Sequence, residues 1–272
     1  MPLIWLRVAA ILYGLGLLDM LLQLRKQGSR LSRLAEPMVG LGLIFHFVSV
    51  VETVYFNGYQ NLLNIKHAES GLALIIAAAF MFMFVRFRTT SPGIFVFPLV
   101  FFLTFASTIA ERPVSLSAMP ALRSGWIMFH VCTLLLGYAA LFLSFVSSLL
   151  YLMQAGNLKS KQPKDWLSRL PSLQTIDELG YKALLAGFPF MTVGLIAGSV
   201  VAQEKYGPIY FTDPKVLLSL LMWGVYMLLL YTRWSAGWRG RRAAYLAAFA
   251  FVAACCAWAA NYFSMVHRFV AP

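Results

Sequence analysis

Apolar residues occupy this chain in long unbroken runs, without the alternation of a half-buried strand or the narrow stripe of a soluble helix. The runs fall at about 3–24, 38–56, 70–87, 92–110, 126–153, 179–202, 215–232 and 243–264. A helix rises about 1.5 Å per residue, so about 20 apolar residues cross a hydrocarbon core of roughly 30 Å. Within that core each helix must satisfy its own backbone polar groups, which continuous helix does. The pattern predicts an all-α polytopic membrane bundle of about eight transmembrane helices. The third and fourth runs are separated by a short turn in which Pro92 and Gly93 break the apolar stretch. No intervening segment is long enough for a soluble domain, so residues 1–272 are expected to form a single integral membrane domain. In the longest of them, at about 154–178, Asp165, Trp166, Leu167, Leu170 and Leu173 are spaced for a short amphipathic helix on the inner membrane surface.

Composition agrees with a bilayer as solvent: 60% of the residues are hydrophobic and 12% charged, with a mean hydropathy of +0.74. The net charge of +12 raises nucleic acid as a partner, but the charge is not gathered on one face. Fourteen basic residues sit in four alternate loops, at 25–37, 86–91, 154–178 and 233–242. The opposite loops and the tail carry Lys66, Arg112, Arg123, Lys205 and Arg268, with Lys215 at a boundary. The positive-inside rule assigns the fourteen to the cytoplasm and both termini to the outside, as an even number of spans requires. The first apolar run is too long for a signal-peptide core, and its positive charge follows rather than precedes it. It reads as a retained first span.

Cys132, Cys255 and Cys256 lie in apolar runs and form neither CxxC nor CxxCH, which excludes a thiol–disulfide relay and covalent c-type haem on this chain. The histidines carry more. His130 lies about one turn into the fifth run and His267 just beyond the eighth, both on the outer side. Two imidazoles at one depth on different helices are what bis-histidine ligation of a haem iron requires; two unrelated interfacial histidines are the other reading. His46, near the middle of the second run, either bonds to a neighbouring helix or acts as a ligand or proton relay. His67, beside Lys66 and Glu69, reads as solvated. The outer segment 203–215 is aromatic and contains the stiff step Asp213-Pro214-Lys215. Its rings are either interfacial belt residues or an apolar platform for a flat macrocycle between His130 and His267. Gly194 and Gly198 form a GxxxG in the sixth run, and Ala140, Ser144 and Ser148 line one face of the fifth; both read as helix-packing surfaces.

Several stretches occur in an order and spacing sustained over about 150 residues. They are Leu122-Arg123-Ser124-Gly125-Trp126 leading to Phe129-His130-Val131, then Gly137-Tyr138-Ala139-Ala140, Leu170-Pro171-Ser172-Leu173 and Gly187-Phe188-Pro189. Val193-Gly194-Leu195-Ile196-Ala197-Gly198 follows, then the 201–215 segment, Trp223, Gly237-Trp238-Arg239-Gly240-Arg241-Arg242, and Asn261 before His267. From about residue 110 onward the chain therefore resembles the cytochrome c assembly family, which includes CcsA/ResC, CcmC and the eight-span HemX-like proteins. Residues 1–110 match more loosely, through His46 and Glu69-Ser70-Gly71.

That resemblance implies a non-covalent haem b whose iron is ligated by His130 and His267. It implies a platform of Tyr206, Gly207, Tyr210, Phe211, Asp213 and Pro214, and an inner haem stop at His46. The chain departs from the family in places. Val201, Tyr206, Tyr210 and Phe211 stand where the family tends to have tryptophan, so stacking surface persists without the indole N–H donors. Tyr231 replaces a histidine before Thr232-Arg233; it either substitutes as a tyrosinate ligand or marks a lost inner site. The function implied is a haem-handling membrane subunit of cytochrome c maturation in the bacterial cytoplasmic membrane. It would present haem at the outer face for attachment to an apocytochrome c, with a CcsB/ResB-like membrane partner. No catalytic set accompanies these residues, and any haem lyase activity would belong to the complex, because the covalent chemistry is largely the cofactor's and the substrate's. The HemX-like branch implies the alternative, a membrane regulator of haem biosynthesis acting at glutamyl-tRNA reductase.

Overall fold

A computed structural model of the protein describes residues 2–25, 35–58, 65–87, 92–109, 125–159, 170–264 and 266. Every regular element among them is helical: α1 (Pro2–Arg25), α2 (Ala35–Asn57), α3 (Ile65–Phe87), α4 (Gly93–Ile109), α5 (Gly125–Asn157), α6 (Leu173–Tyr206), α7 (Pro214–Trp234) and α8 (Arg241–Ala259). Short 3-10 turns follow α6 (Gly207–Thr212) and α8 (Ala260–Tyr262). Each expected span has its helix, and the chain is a multi-pass membrane protein. Among the described residues seven helices are long and apolar enough to cross a bilayer, and α4 is shorter at 17 residues. At about 1.5 Å per residue its described length is a few ångströms less than the hydrocarbon thickness. Of the residues expected to form a surface helix, Asp165, Trp166 and Leu167 lie outside the described residues; Leu170 is buried and Leu173 opens α6.

The helices form two compact units, residues 1–123 and 124–272. In the first, α1 packs on α2 and α4, and α3 packs on the same two. In the second, α5 and α7 each pack on α6 and α8. Each unit is thus a closed ring of four consecutive antiparallel helices, the topology that short connections favour. The first is centred on Tyr13, Val39, Ile76, Phe80 and Val96. The second is centred on Leu184, Met191, Met222, Tyr226 and Leu229, against a row of alanines on α8 at 243, 247, 250, 254 and 257. Lipid tails are as apolar as leucine, so helices in a bilayer gain little by merely hiding apolar surface from one another. Close approach through small side chains supplies the attraction instead.

The α5–α6 seam shows that economy most clearly. A Cβ on Gly187 would fall 2.7 Å from the Cβ of Ala140, and one on Gly180 would fall 3.1 Å from the Cβ of Ser147. Gly137 lies against the backbone of Met191, with 3.2 Å from a built Cβ to its nitrogen. The partners step backward along α6 as they step forward along α5, so one antiparallel register is held from the inner end to the outer. At the end assigned to the cytoplasm, Arg233 of α7 donates from Nη1 and Nη2 to Asp177 of α6 at 3.1 and 2.7 Å. The Gly240 N–H donates to the same carboxylate at 3.3 Å, which brings in the start of α8.

Candidate functional site

His130 projects from the second turn of α5 into the notch that two glycines leave in α6. Its Nδ1 lies 2.6 Å from the carbonyl oxygen of Gly194. A carbonyl has no hydrogen to give, so Nδ1 carries the proton and donates it, and the neutral ring keeps its lone pair on Nε2. Among the described residues Nε2 has no hydrogen-bond partner. A Cβ on Gly198 would fall 2.5 Å from His130 Nδ1 and 3.1 Å from Nε2, so the ring fits because residue 198 has no side chain. Gly194 yields its space to the next turn of α5, where Leu134 and Thr133 Oγ1 would lie 2.8 and 2.9 Å from a Cβ. The glycine pair that reads in sequence as a packing motif is therefore also the seat of His130. Finding this needs the α5–α6 register, which a single sequence does not supply.

At the start of α5, Gly125, Trp126 and Phe129 line an open depression in the surface. Trp126 stands four residues before His130 and so shares its helix face. Trp126 and Phe129 meet edge to face, with ring centroids 6.3 Å apart. Among the described residues no group of three or more His, Cys, Asp or Glu side chains could hold a bare metal ion. Haem needs no such group, because the macrocycle supplies four donors and the protein adds one or two axial ligands. An imidazole with its proton fixed on Nδ1 and its lone pair on Nε2 fits the role of one such ligand.

The 206–215 segment closes the end of this unit opposite Asp177 and Arg233. Gly207 ends α6 at φ +62°, a left-handed conformation that glycine adopts without a Cβ clash. After the 3-10 turn, Asp213 caps α7: its Oδ1 accepts the Lys215 N–H at 2.9 Å, and Pro214 takes the first helical position. The other oxygen, Oδ2, accepts the Ser264 hydroxyl at 2.9 Å and the Val266 N–H at 3.2 Å. Tyr206 donates its hydroxyl to the Val266 carbonyl at 3.5 Å. Lys215 Nζ donates to Asn261 Oδ1, and Asn261 Nδ2 donates to the Trp258 carbonyl at 2.8 Å. The Lys215 ammonium is also within electrostatic range of the His130 ring. Of the expected platform residues, Tyr210 is buried, Tyr206 half-buried, and Phe211 and Pro214 exposed. Tyr210 and Phe211 pack ring on ring at 4.1 Å.

Residues 41–265 match the family described as cytochrome C assembly protein. The chain belongs to this family. Among its curated relatives, the cytochrome c biogenesis protein CcsA of Guillardia theta is 32% identical, covering 72% of this chain and 71% of that protein. The protein of the same name from Pyropia yezoensis is 28% identical over 82% of this chain and 81% of that one. No solved structure matches the chain. The family match begins well before residue 110 and takes in most of α2 together with α3 and α4.

Of the residues singled out in this family member, His267 lies outside the described residues; Val266, the residue before it, is held by Asp213 and Tyr206. His46 is fully buried in the first unit. Its Nε2 lies 2.7 Å from Ser70 Oγ and its Nδ1 3.4 Å from the Tyr13 hydroxyl, with the Tyr13 ring edge-on to the imidazole. Both nitrogens are engaged, so an iron could bind here only where Ser70 or Tyr13 gave way. Tyr231 is 61% exposed near the C-terminal end of α7. The Asp213–tail contacts join residues more than 50 positions apart, and nothing in sequence spacing pointed to them.

Proposed function

We propose that this protein is the haem-handling membrane subunit of a cytochrome c maturation system in the bacterial cytoplasmic membrane, presenting haem b at the outer face for attachment to an apocytochrome c. Membership of the cytochrome c assembly family supports the process, and the relatives named for cytochrome c biogenesis point the same way. The observation that carries the haem reading is the bond from His130 Nδ1 to the Gly194 carbonyl. Metal-binding histidines commonly donate their other N–H to a backbone carbonyl or carboxylate, which fixes the tautomer and raises the basicity of the ligating nitrogen. His130 has that arrangement before any ligand arrives. His267 supplies the second axial imidazole in this reading, and Tyr206 and Phe211 supply ring surface along the macrocycle. Haem brings the redox-active iron and the vinyl groups to which apocytochrome thiols attach. A CcsB/ResB-like partner presents the apocytochrome. The described helices of this chain leave only short connections at the outer end in which to do so.

Purified from membranes, the protein should carry b-type haem with a low-spin absorption spectrum. His130→Ala should abolish that spectrum; an unchanged spectrum would remove His130 from the site. Deleting the gene and staining membranes for covalent haem separates maturation from control of haem synthesis. Loss of all c-type cytochromes with normal haem b supports maturation. Intact c-type cytochromes would overturn it.

A further inference from the structure

We propose that Arg239, Arg241 and Arg242 form a docking surface for the headgroup of an anionic phospholipid. Arg241 and Arg242 are the first two residues of α8, and Arg239 stands just before them. All three side chains are exposed, at one end of a helix long and apolar enough to cross a bilayer. Among the described residues none of the three has an ion-pair partner. The carboxylates at the start of α6 are engaged elsewhere: Asp177 holds Arg233 and the Gly240 N–H, and Glu178 faces Lys182. The placement also works against the helix. The first turn carries the positive end of the helix dipole, where acidic side chains stabilise and cations repel. That turn of α8 holds two arginines and no acidic residue. A connection shaped by stability alone would not gather three guanidinium groups there. A lipid phosphate relieves the repulsion, and each guanidinium can meet it with paired N–H donors.

The surface is built by the protein itself. Gly237 and Gly240 take φ of +61° and +67°. The Trp238 N–H donates to the Thr232 carbonyl at 3.0 Å, and the Gly240 N–H donates to Asp177 at 3.3 Å. A Cβ on Gly240 would fall 2.6 Å from the Tyr151 hydroxyl oxygen, so α5 closes on the same turn. Trp234 is 85% exposed and Trp238 is half-buried. Indole rings settle at the level of lipid headgroups, and these two flank the arginines at that depth. Charge complementarity then selects anionic over zwitterionic lipid.

The test uses the full-length protein in neutral detergent and in nanodiscs of phosphatidylcholine with or without phosphatidylglycerol. Wild type is compared with the triple variant Arg239→Gln/Arg241→Gln/Arg242→Gln. Phosphatidylglycerol should raise the wild-type unfolding midpoint by about 5 °C, since it binds the folded state. The rise should shrink in about 1 M salt, which screens charges beyond roughly 3 Å. It should be lost in the triple variant and kept in Lys205→Gln, whose exposed ammonium lies at the other end of the unit. In neutral detergent the triple variant should unfold at or slightly above the wild-type midpoint, because its side chains no longer oppose the dipole. A midpoint well below wild type there would overturn the proposal, since the arginines would then be holding the fold. An equal rise with phosphatidylglycerol in both proteins would also overturn it. Inorganic phosphate producing the same rise in detergent would rule out a lipid as the occupant.

Discussion

The His130 ring occupies the volume that a side chain at residue 198 would fill, and the cost of refilling it follows from packing. A methyl group on Gly198 would lie 2.5 Å from Nδ1 against a helix that cannot withdraw without opening the α5–α6 seam. Forcing extra atoms into such a site typically costs about 1–3 kcal/mol. Gly198→Ala should therefore lower the thermal unfolding midpoint in detergent and also turn the imidazole, changing the haem spectrum. Gly194→Ala should lower stability by less, since Leu134 and Thr133 Oγ1 would lie 2.8 and 2.9 Å from the new methyl, while the carbonyl that holds Nδ1 remains. Gly198→Ala with wild-type midpoint and spectrum would show that the ring has room to spare. His130 itself was legible in the sequence, because a histidine at a span end stands out against an apolar background. Its partner was not, because a carbonyl oxygen belongs to every residue and only register selects one. His46 differs: its sequence position left a hydrogen-bonded role and a ligand role open, and the structure engages both ring nitrogens through Ser70 and Tyr13.

Among the elements, apolar runs located every helix, yet the helices extend past them. The run at 179–202 became α6 from 173 to 206, because the helix begins where the Ser172 hydroxyl accepts the Thr175 N–H and ends where Gly207 turns left-handed. Hydropathy reads the lipid-facing part, whereas caps set the ends. The added inner turn of α6 carries Asp177, which receives both guanidinium nitrogens of Arg233 and the N–H of Gly240. Arg233 also lies 4.7 Å from the centroid of the Tyr181 ring. The two charged side chains are only 11% and 15% exposed, so removing one leaves the other with little water to replace it. Breaking a buried pair costs about 3–5 kcal/mol, and partial access to solvent places this one near the lower end. Asp177→Ala should reduce stability by about 3 kcal/mol, measured as a fall in the unfolding midpoint. Arg233→Lys should also destabilise, because an ammonium cannot make the forked bond or lie flat on the Tyr181 ring. Wild-type midpoints in both variants would mean that the inner ends of α6, α7 and α8 are held by apolar packing alone.

For the whole molecule, loop charge and span count agree on a direction through the membrane, and the functional reading depends on it. His130 lies near the start of α5 and Asp213 lies between α6 and α7, at the end of the second unit opposite Asp177 and Arg233. If the basic loops face the cytoplasm, the candidate haem site faces outward, where apocytochromes receive haem; if they do not, the site faces the wrong compartment. Single cysteines decide between these arrangements. Lys205 and Arg239 are exposed and flank α7 at its two ends. Cys132, Cys255 and Cys256 are exposed on helix surfaces and would be replaced by alanine first. On intact cells a membrane-impermeant maleimide should label Lys205→Cys and not Arg239→Cys, and permeabilised cells should show both. The bias of positive residues supports this orientation, because translocating lysine and arginine is costly and fourteen of them fall in four alternate loops. The reverse labelling would leave the helices and their packing intact. It would turn His130 toward the cytoplasm, where the same imidazole could meet newly made haem but could not pass it to an apocytochrome outside.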